Sequence, residues 1–101
     1  MRLRVLTPSA VVAEVDVGSV TVPSVEGVLT AMPGHDTLLA LLKPGDLHCE
    51  VAGGETGRLE FNIGPGLCEV IHDQVTVCVS HAEAAGPGLR QEGGQVERRT
   101  G

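Results

Sequence analysis

Three cysteines and four histidines give this chain its widest chemical reach: Cys49, Cys68 and Cys78, with His35, His48, His72 and His81. Thiolates and imidazoles can share a zinc ion, or act as a nucleophile and its base. Zinc sites draw their ligands in close pairs such as C-x-x-C or H-x-x-x-H, and neither spacing occurs here. His48 adjoins Cys49, but neighbours on an extended backbone point to opposite faces. A cupin-type metal enzyme gathers histidines on facing strands, whereas these four are scattered. No serine or cysteine pairs with His35 in sequence as a nucleophile would. The cysteines fall where valine or leucine would serve, and free cysteine packs as a small hydrophobe, so all three are expected in the core. Gly27, Gly34, Gly45 and Gly66 sit in turns and are expected at positive φ. A phosphate cradle would need G-x-x-x-x-G-K-[ST] feeding a helix, and that pattern is absent. The expectation is no catalytic residue, no metal and no cofactor.

Two turn residues remain. His35 stands in "MPGHDTLLALLKPG", Met32 to Gly45, between a Pro-Gly turn and an apolar run, and on the residues alone it is expected to hydrogen-bond its own turn. Glu26 lies in a Ser-Val-Glu-Gly turn, where on the residues alone its carboxylate is expected to be solvated.

The totals narrow the class further. A chain of 101 residues argues for one domain near the low end of a self-sufficient core. Aromatic side chains make up 1% of it, Phe61 being the one non-histidine ring, so no base-stacking platform exists. The formal charge of −6 repels nucleic-acid phosphates. Residues 1–85 carry −7 and residues 86–101 carry +1, so the folding part is acidic and suits a basic partner surface. No apolar run approaches the roughly 20 residues of a membrane span, and "MRLRVLTPSA" does not read as an export signal. Without export, a reducing cytosol is the expected compartment for three unpaired cysteines.

The elements that must position these residues are strands. Leu3 and Val5 alternate with Arg2 and Arg4. Val11, Ala13, Val15 and Val17 oppose Glu14 and Asp16; Val20 and Val22 continue the pattern. Leu47, Cys49 and Val51 oppose His48 and Glu50, and Leu59, Phe61 and Ile63 oppose Glu60 and Asn62. Period-two alternation marks half-buried strands, and regularly spaced turn signals suggest an all-β sandwich or barrel. "LCEVIHDQVTVCVS" reads as a hairpin about Asp73-Gln74, pairing His72 with Val75, Val70 with Val77, and Cys68 with Val79. "DTLLALL" breaks the alternation and is expected to form a short helical turn over residues 36–42, capped by Asp36 or Thr37 and ended by Pro44. Its four leucines would plug the sandwich. From Gly86 the pattern stops, and "GPGLRQEGGQVERRTG" is expected to be a flexible glycine-rich tail.

The order "SVTVPSVEG", "MPGH", "LLALLKPG", "IGPGLCEV", "QVTVCVSHAEAA" resembles the N-terminal β-sandwich of the epsilon subunit of F-type ATP synthase, from about Leu3 to Ala85. "PGH…LLxxLKPG" is its most specific piece. The resemblance implies a flattened sandwich of about ten short strands over residues 1–85, and a non-catalytic central-stalk subunit. Such subunits bind gamma on one side and rest on the ring of membrane c subunits, coupling ion translocation to nucleotide chemistry elsewhere. It implies a peripheral location on the cytoplasmic face of the bacterial inner membrane. By resemblance Glu26, Gly27, Val28 and His35 lie toward the c-ring or gamma. The family usually continues into two long helices, which have no counterpart in the pattern of residues 86–101, so ATP binding and braking of hydrolysis are not expected. Val28 replaces the family's second turn acid, Thr37 a proline, and Pro65-Gly66 a glycine pair. The rival reading is a free-standing β-sandwich binding module for a protein or small ligand, which the single phenylalanine disfavours.

Overall fold

The computed structural model describes residues 1–34, 37–52 and 57–85. They form nine strands: β1 (Arg2–Thr7), β2 (Ala10–Ser24), β3 (Gly27–Ala31), β4 (Leu38–Leu42), β5 (Gly45–Val51), β6 (Arg58–Ile63), β7 (Gly66–Ile71), β8 (Gln74–Val79) and β9 (Ala82–Ala85). None of the described residues forms a helix. His35, Asp36 and the tail from Gly86 lie outside the described residues.

Nine strands among the described residues agree with the expected two-layer sandwich of about ten, and β2, 15 residues long, serves in both layers. Its first half pairs antiparallel with β1, as in Arg4↔Glu14. Its second half pairs with β5 and β3, as in Val20↔Cys49 and Val20↔Ala31. The register with β5 shifts between Val17 and Ser19, and the extra residue at that corner is Gly18. One layer therefore runs β2–β1–β8–β7–β4, with β1 and β8 parallel and the rest antiparallel. The other runs β3–β2–β5–β6–β9.

Alternation supplies the core, because one parity of each strand faces the opposite layer. Across the first layer, Leu38, Val70, Val75, Leu3 and Val15 fall in one cross-strand row; Ala40, Cys68, Val77, Val5 and Ala13 fall in the next. Across the second, Leu47 pairs with Phe61 and Cys49 with Leu59. Leu3, Val5, Leu47, Val70, Val75 and Val77 are wholly removed from solvent. Burying each such aliphatic side chain stabilises the fold by about 1.5–3 kcal/mol, as an upper bound.

Five expectations are corrected. Residues 38–42 form strand β4 rather than a helical turn, paired from Leu38↔Val70 to Leu42↔Gly66. A helix of two turns is unstable alone, and the open edge of β7 satisfies the backbone of these residues instead. The leucine plug dissolves with it: Leu42 is buried and Leu38 partly so, but Leu39 and Leu41 point outward. The β7–β8 hairpin turns at His72-Asp73, pairing Val70 with Val75 and Cys68 with Val77. This differs from the expected register by two residues, which leaves every side chain on its expected face. Cys78 is exposed, unlike Cys49 and Cys68, because its parity on β8 is opposite to that of Val77 and Val79. Finally, positive φ occurs at Gly27 and Gly34 but not at Gly45 or Gly66. Gly66 is needed for room: a Cβ there would overlap the Cys78 carbonyl oxygen.

Candidate partner-binding surface

The outer face of the β2–β1–β8–β7–β4 layer is built by the same registers as its core. Leu41 pairs with Leu67, Leu67 with Cys78, Cys78 with Leu6, and Leu6 with Val11. Five apolar side chains thus cross five strands in one outward row. Leu39 and Leu41 keep 67% and 59% of their surface exposed, and Leu67 and Val11 are exposed as well. The next row outward is charged or polar beyond Leu39: Glu69, Thr76, Arg4 and Glu14. Arg4 Nε lies 3.2 Å from Glu14 Oε2, an ion pair too poorly aligned to be a hydrogen bond. Beyond it Arg2 Nη1 reaches Asp16 Oδ1 at 3.3 Å. These pairs are exposed and contribute about 0–1 kcal/mol each. The face therefore has an apolar end and a salt-bridged end.

At β4 the apolar row meets the β2–β3 turn. Ser24 is the one polar residue buried among the described residues, at 2% exposure. It pairs with Gly27 on β3 and with Leu42 on β4. Its hydroxyl accepts from the Glu26 N–H at 3.1 Å and donates to the Gly27 carbonyl oxygen. Gly27 closes the turn at φ 127°, a conformation glycine alone adopts readily. The Val25 N–H donates to the Leu41 carbonyl at 2.9 Å, and the Lys43 N–H to the Pro23 carbonyl at 3.0 Å. Turn and strand thereby form one surface with a groove of about 260 Å³, lined by Ser24, Val25, Glu26, Leu29 and residues 38–41. Glu26 stands at its rim and forms no ion pair among the described residues.

Of the residues singled out from the sequence, Glu26, Gly27 and Val28 are brought together on this turn, all exposed; Val28 is the most exposed large apolar side chain among the described residues, at 72%. His35 lies outside the described residues. Leu39 and Leu41 were expected in the plug and Val11 on the buried face, but the register shift between β1 and β2 at Val5/Leu6 turns Val11 outward; Leu67, Val25 and Leu6 were not singled out. The available signal was in β7: once Cys68 and Val70 face inward, Leu67 and Ile71 must be apolar on the outer face.

The chemistry-bearing residues do not converge. Among the described residues no three His, Cys, Asp or Glu side chains are placed to hold a metal ion. Burial pushes the Cys49 and Cys68 thiols up to about 11, so they stay protonated and unreactive near neutral pH. A hollow of about 420 Å³ at the β7–β8 turn, open to solvent, is lined by Arg2, Glu69, Ile71, His72, Asp73, Gln74 and Thr76, with both signs of charge. Contiguous exposed apolar surface bordered by polar groups is of the kind that another macromolecule covers.

Comparison with known proteins agrees with this class. Residues 1–85 match the family model "ATP synthase, Delta/Epsilon chain, beta-sandwich domain", and the chain belongs to that family. It is 36% identical over 85 residues to the ATP synthase epsilon chain of Herpetosiphon aurantiacus, covering 84% of this chain and 60% of the relative. It is 35% identical over 82 residues to that of Nitratiruptor sp., covering 81% and 62%. The chain thus spans about three-fifths of the length of these relatives. Among solved structures, a chain of the Euglena gracilis mitochondrial ATP synthase (OSCP/F1/c-ring) superposes with a TM-score of 0.71 at 22% identity, covering 81% of this chain and 51% of that one. A chain of the Tetrahymena thermophila mitochondrial ATP synthase central stalk and c-ring gives 0.66 at 19%, covering 82% and 65%. At these identities the two structures show a shared fold.

Proposed function

We propose that this chain is a non-catalytic central-stalk subunit of a rotary F-type ATP synthase, joining the gamma subunit to the membrane c-ring. The single observation that carries the reading is the outward apolar row Leu41–Leu67–Cys78–Leu6–Val11, on a chain of the epsilon-type family. Large contiguous apolar patches rimmed by polar groups mark protein contact, and gamma is the partner assigned to this row. The groove beside Glu26 suits a segment that presents a cationic side chain next to an aliphatic one, and the polar loops of the c-ring are assigned to it. Glu26, Gly27 and Val28, on the β2–β3 turn, are assigned to that contact, and His35 is assigned to the same partner.

The mechanism is mechanical. A close-packed two-layer core deforms little under load, so the domain widens the foot of a thin shaft and spreads torque over a broad contact. A joint that carries load should exceed the standard interface of about 1,600 Å² in total. The chain binds no nucleotide and no ion itself. It sits peripherally at the membrane through the complex, on the cytoplasmic face of the bacterial inner membrane. Residues 1–85 are the folding unit, and residues 86–101 a tail outside it.

The test is co-expression with the gamma and c subunits of the same organism. The expected result is a complex that survives gel filtration and loses this chain when gamma is omitted. A chain that elutes alone, with gamma and the c-ring present, overturns the reading.

A further inference from the structure

We infer that Ser24 is a positioning residue for partner binding: its buried hydroxyl fixes the turn from which Glu26 meets a cationic group on the c-ring loop assigned above to the adjacent groove. The inference rests on the rotor reading above and assigns the device that sets one of its contacts. Three observations carry it. Ser24 is buried, yet it is polar, and both capacities of its hydroxyl are spent on the turn, accepting from Glu26 N–H and donating to the Gly27 carbonyl. The turn has only Val25 and Glu26 between the paired residues Ser24 and Gly27, so holding both of its ends fixes where Glu26 leaves the backbone. The same serine marks where β2 meets β4, and the Val25 N–H bonds to Leu41. The Glu26 backbone, from which the carboxylate extends, is thereby held in a set relation to the groove wall formed by Val25, Leu39 and Leu41.

A buried hydroxyl could serve stability alone, and the two roles differ in their coupling to Glu26. If Ser24 acts through the carboxylate, its loss matters to binding only while the carboxylate is there. A double-mutant cycle isolates that term. Full-length wild type, Ser24→Ala, Glu26→Gln and the double variant are titrated against a detergent-solubilised rotor assembled from the gamma and c subunits of the same organism. Glu26→Gln is expected to weaken binding about three- to fivefold, the range of one exposed ion pair. Ser24→Ala is expected to weaken it by nearly as much when Glu26 is intact, and by less than about twofold in the Glu26→Gln background. The Ser24→Ala loss should shrink in high salt, since screening weakens the charge it positions. Ser24→Thr, which keeps the hydroxyl, should restore affinity.

Equal losses from Ser24→Ala in both backgrounds, or no loss in either, overturn the inference and leave the rotor reading intact. A wild-type chain that does not bind the rotor overturns the reading itself, and the inference with it. Should Ser24→Ala fail to fold, Ser24→Cys takes its place in the cycle, since it keeps the volume but is a much weaker donor and acceptor.

Discussion

Leu41 on β4 and Leu67 on β7 stand directly opposite each other and both point to solvent. A cross-strand leucine pair is ordinarily a core feature. Here it lies on the outer face, continuous through Cys78 and Leu6 to Val11, which is why we propose that it serves contact rather than folding.

Replacing both leucines with serine should therefore separate binding from stability. Surface substitutions away from special features change stability by about 0.5 kcal/mol or less each. The melting temperature of Leu41→Ser/Leu67→Ser should stay within a few degrees of wild type. Retention by immobilised gamma subunit should fall at least about tenfold, the scale of a central contact residue. A double variant that melts early would move these residues into the folding core. One that binds normally would move gamma elsewhere.

The thiols give a pH dependence with a definite sign. Burial raises Cys49 and Cys68 from the ordinary 9.0 to about 11. Between those values the unfolded chain has lost these protons while the folded chain keeps them. Stability is thus full below about pH 9 and falls as pH rises toward 11, by up to about 1.4 kcal/mol per pH unit for each thiol. Urea midpoints measured from pH 8 to pH 11 should show this decline, and Cys49→Val/Cys68→Val should flatten it. In native protein at pH 8, iodoacetamide should label one cysteine quickly, the exposed Cys78. Rapid labelling of all three would contradict the burial.

His72 occupies the first position of the β7–β8 turn with φ 56°. Left-handed backbone costs a side-chain-bearing residue about 1–2 kcal/mol that glycine avoids, partly offset by glycine's greater freedom when unfolded. His72→Gly should raise the thermal midpoint, by about 0.5–1 kcal/mol of net stability. A lower midpoint would mean that the imidazole itself holds the turn.

Gly66→Ala tests the close approach of β7 to β8. A methyl there meets the Cys78 carbonyl oxygen and the Val79 Cα, both backbone atoms that cannot step aside. The cost should reach about 1–3 kcal/mol or more, as in overpacked cores, and show as a sharply lower urea midpoint or insoluble protein. A Gly66→Ala variant with wild-type stability would require β7 and β8 to stand further apart than their pairing indicates.

Parity was legible in the sequence and register was not. Leu3 against Arg2, Val15 against Asp16, and Val70 against Glu69 each name the buried face, because alternation has a period of two. A slip of two residues preserves all of it, so the β7–β8 loop was read at Asp73-Gln74 when it turns at His72-Asp73. No glycine marks that turn, and turn chemistry was the missing signal. "LLALL" failed for a related reason: with leucine on both faces a strand shows no alternation at all. The apolar row assigned to gamma was hidden there, since an outer face that is also apolar erases the contrast by which faces are read. Glu26 and Val28 were named through family likeness, whereas the two hydrogen bonds of Ser24 are visible only in the structure.

The long β2 has a mechanical consequence. Val11 lies near its start, at one end of the apolar row, and Ser24 ends it, beside the groove at the other. If gamma pulls on the first and the ring on the second, the two grips share one uninterrupted length of polypeptide. Stress then travels along peptide bonds as through a tendon, instead of depending on leucine and valine contacts that could slide.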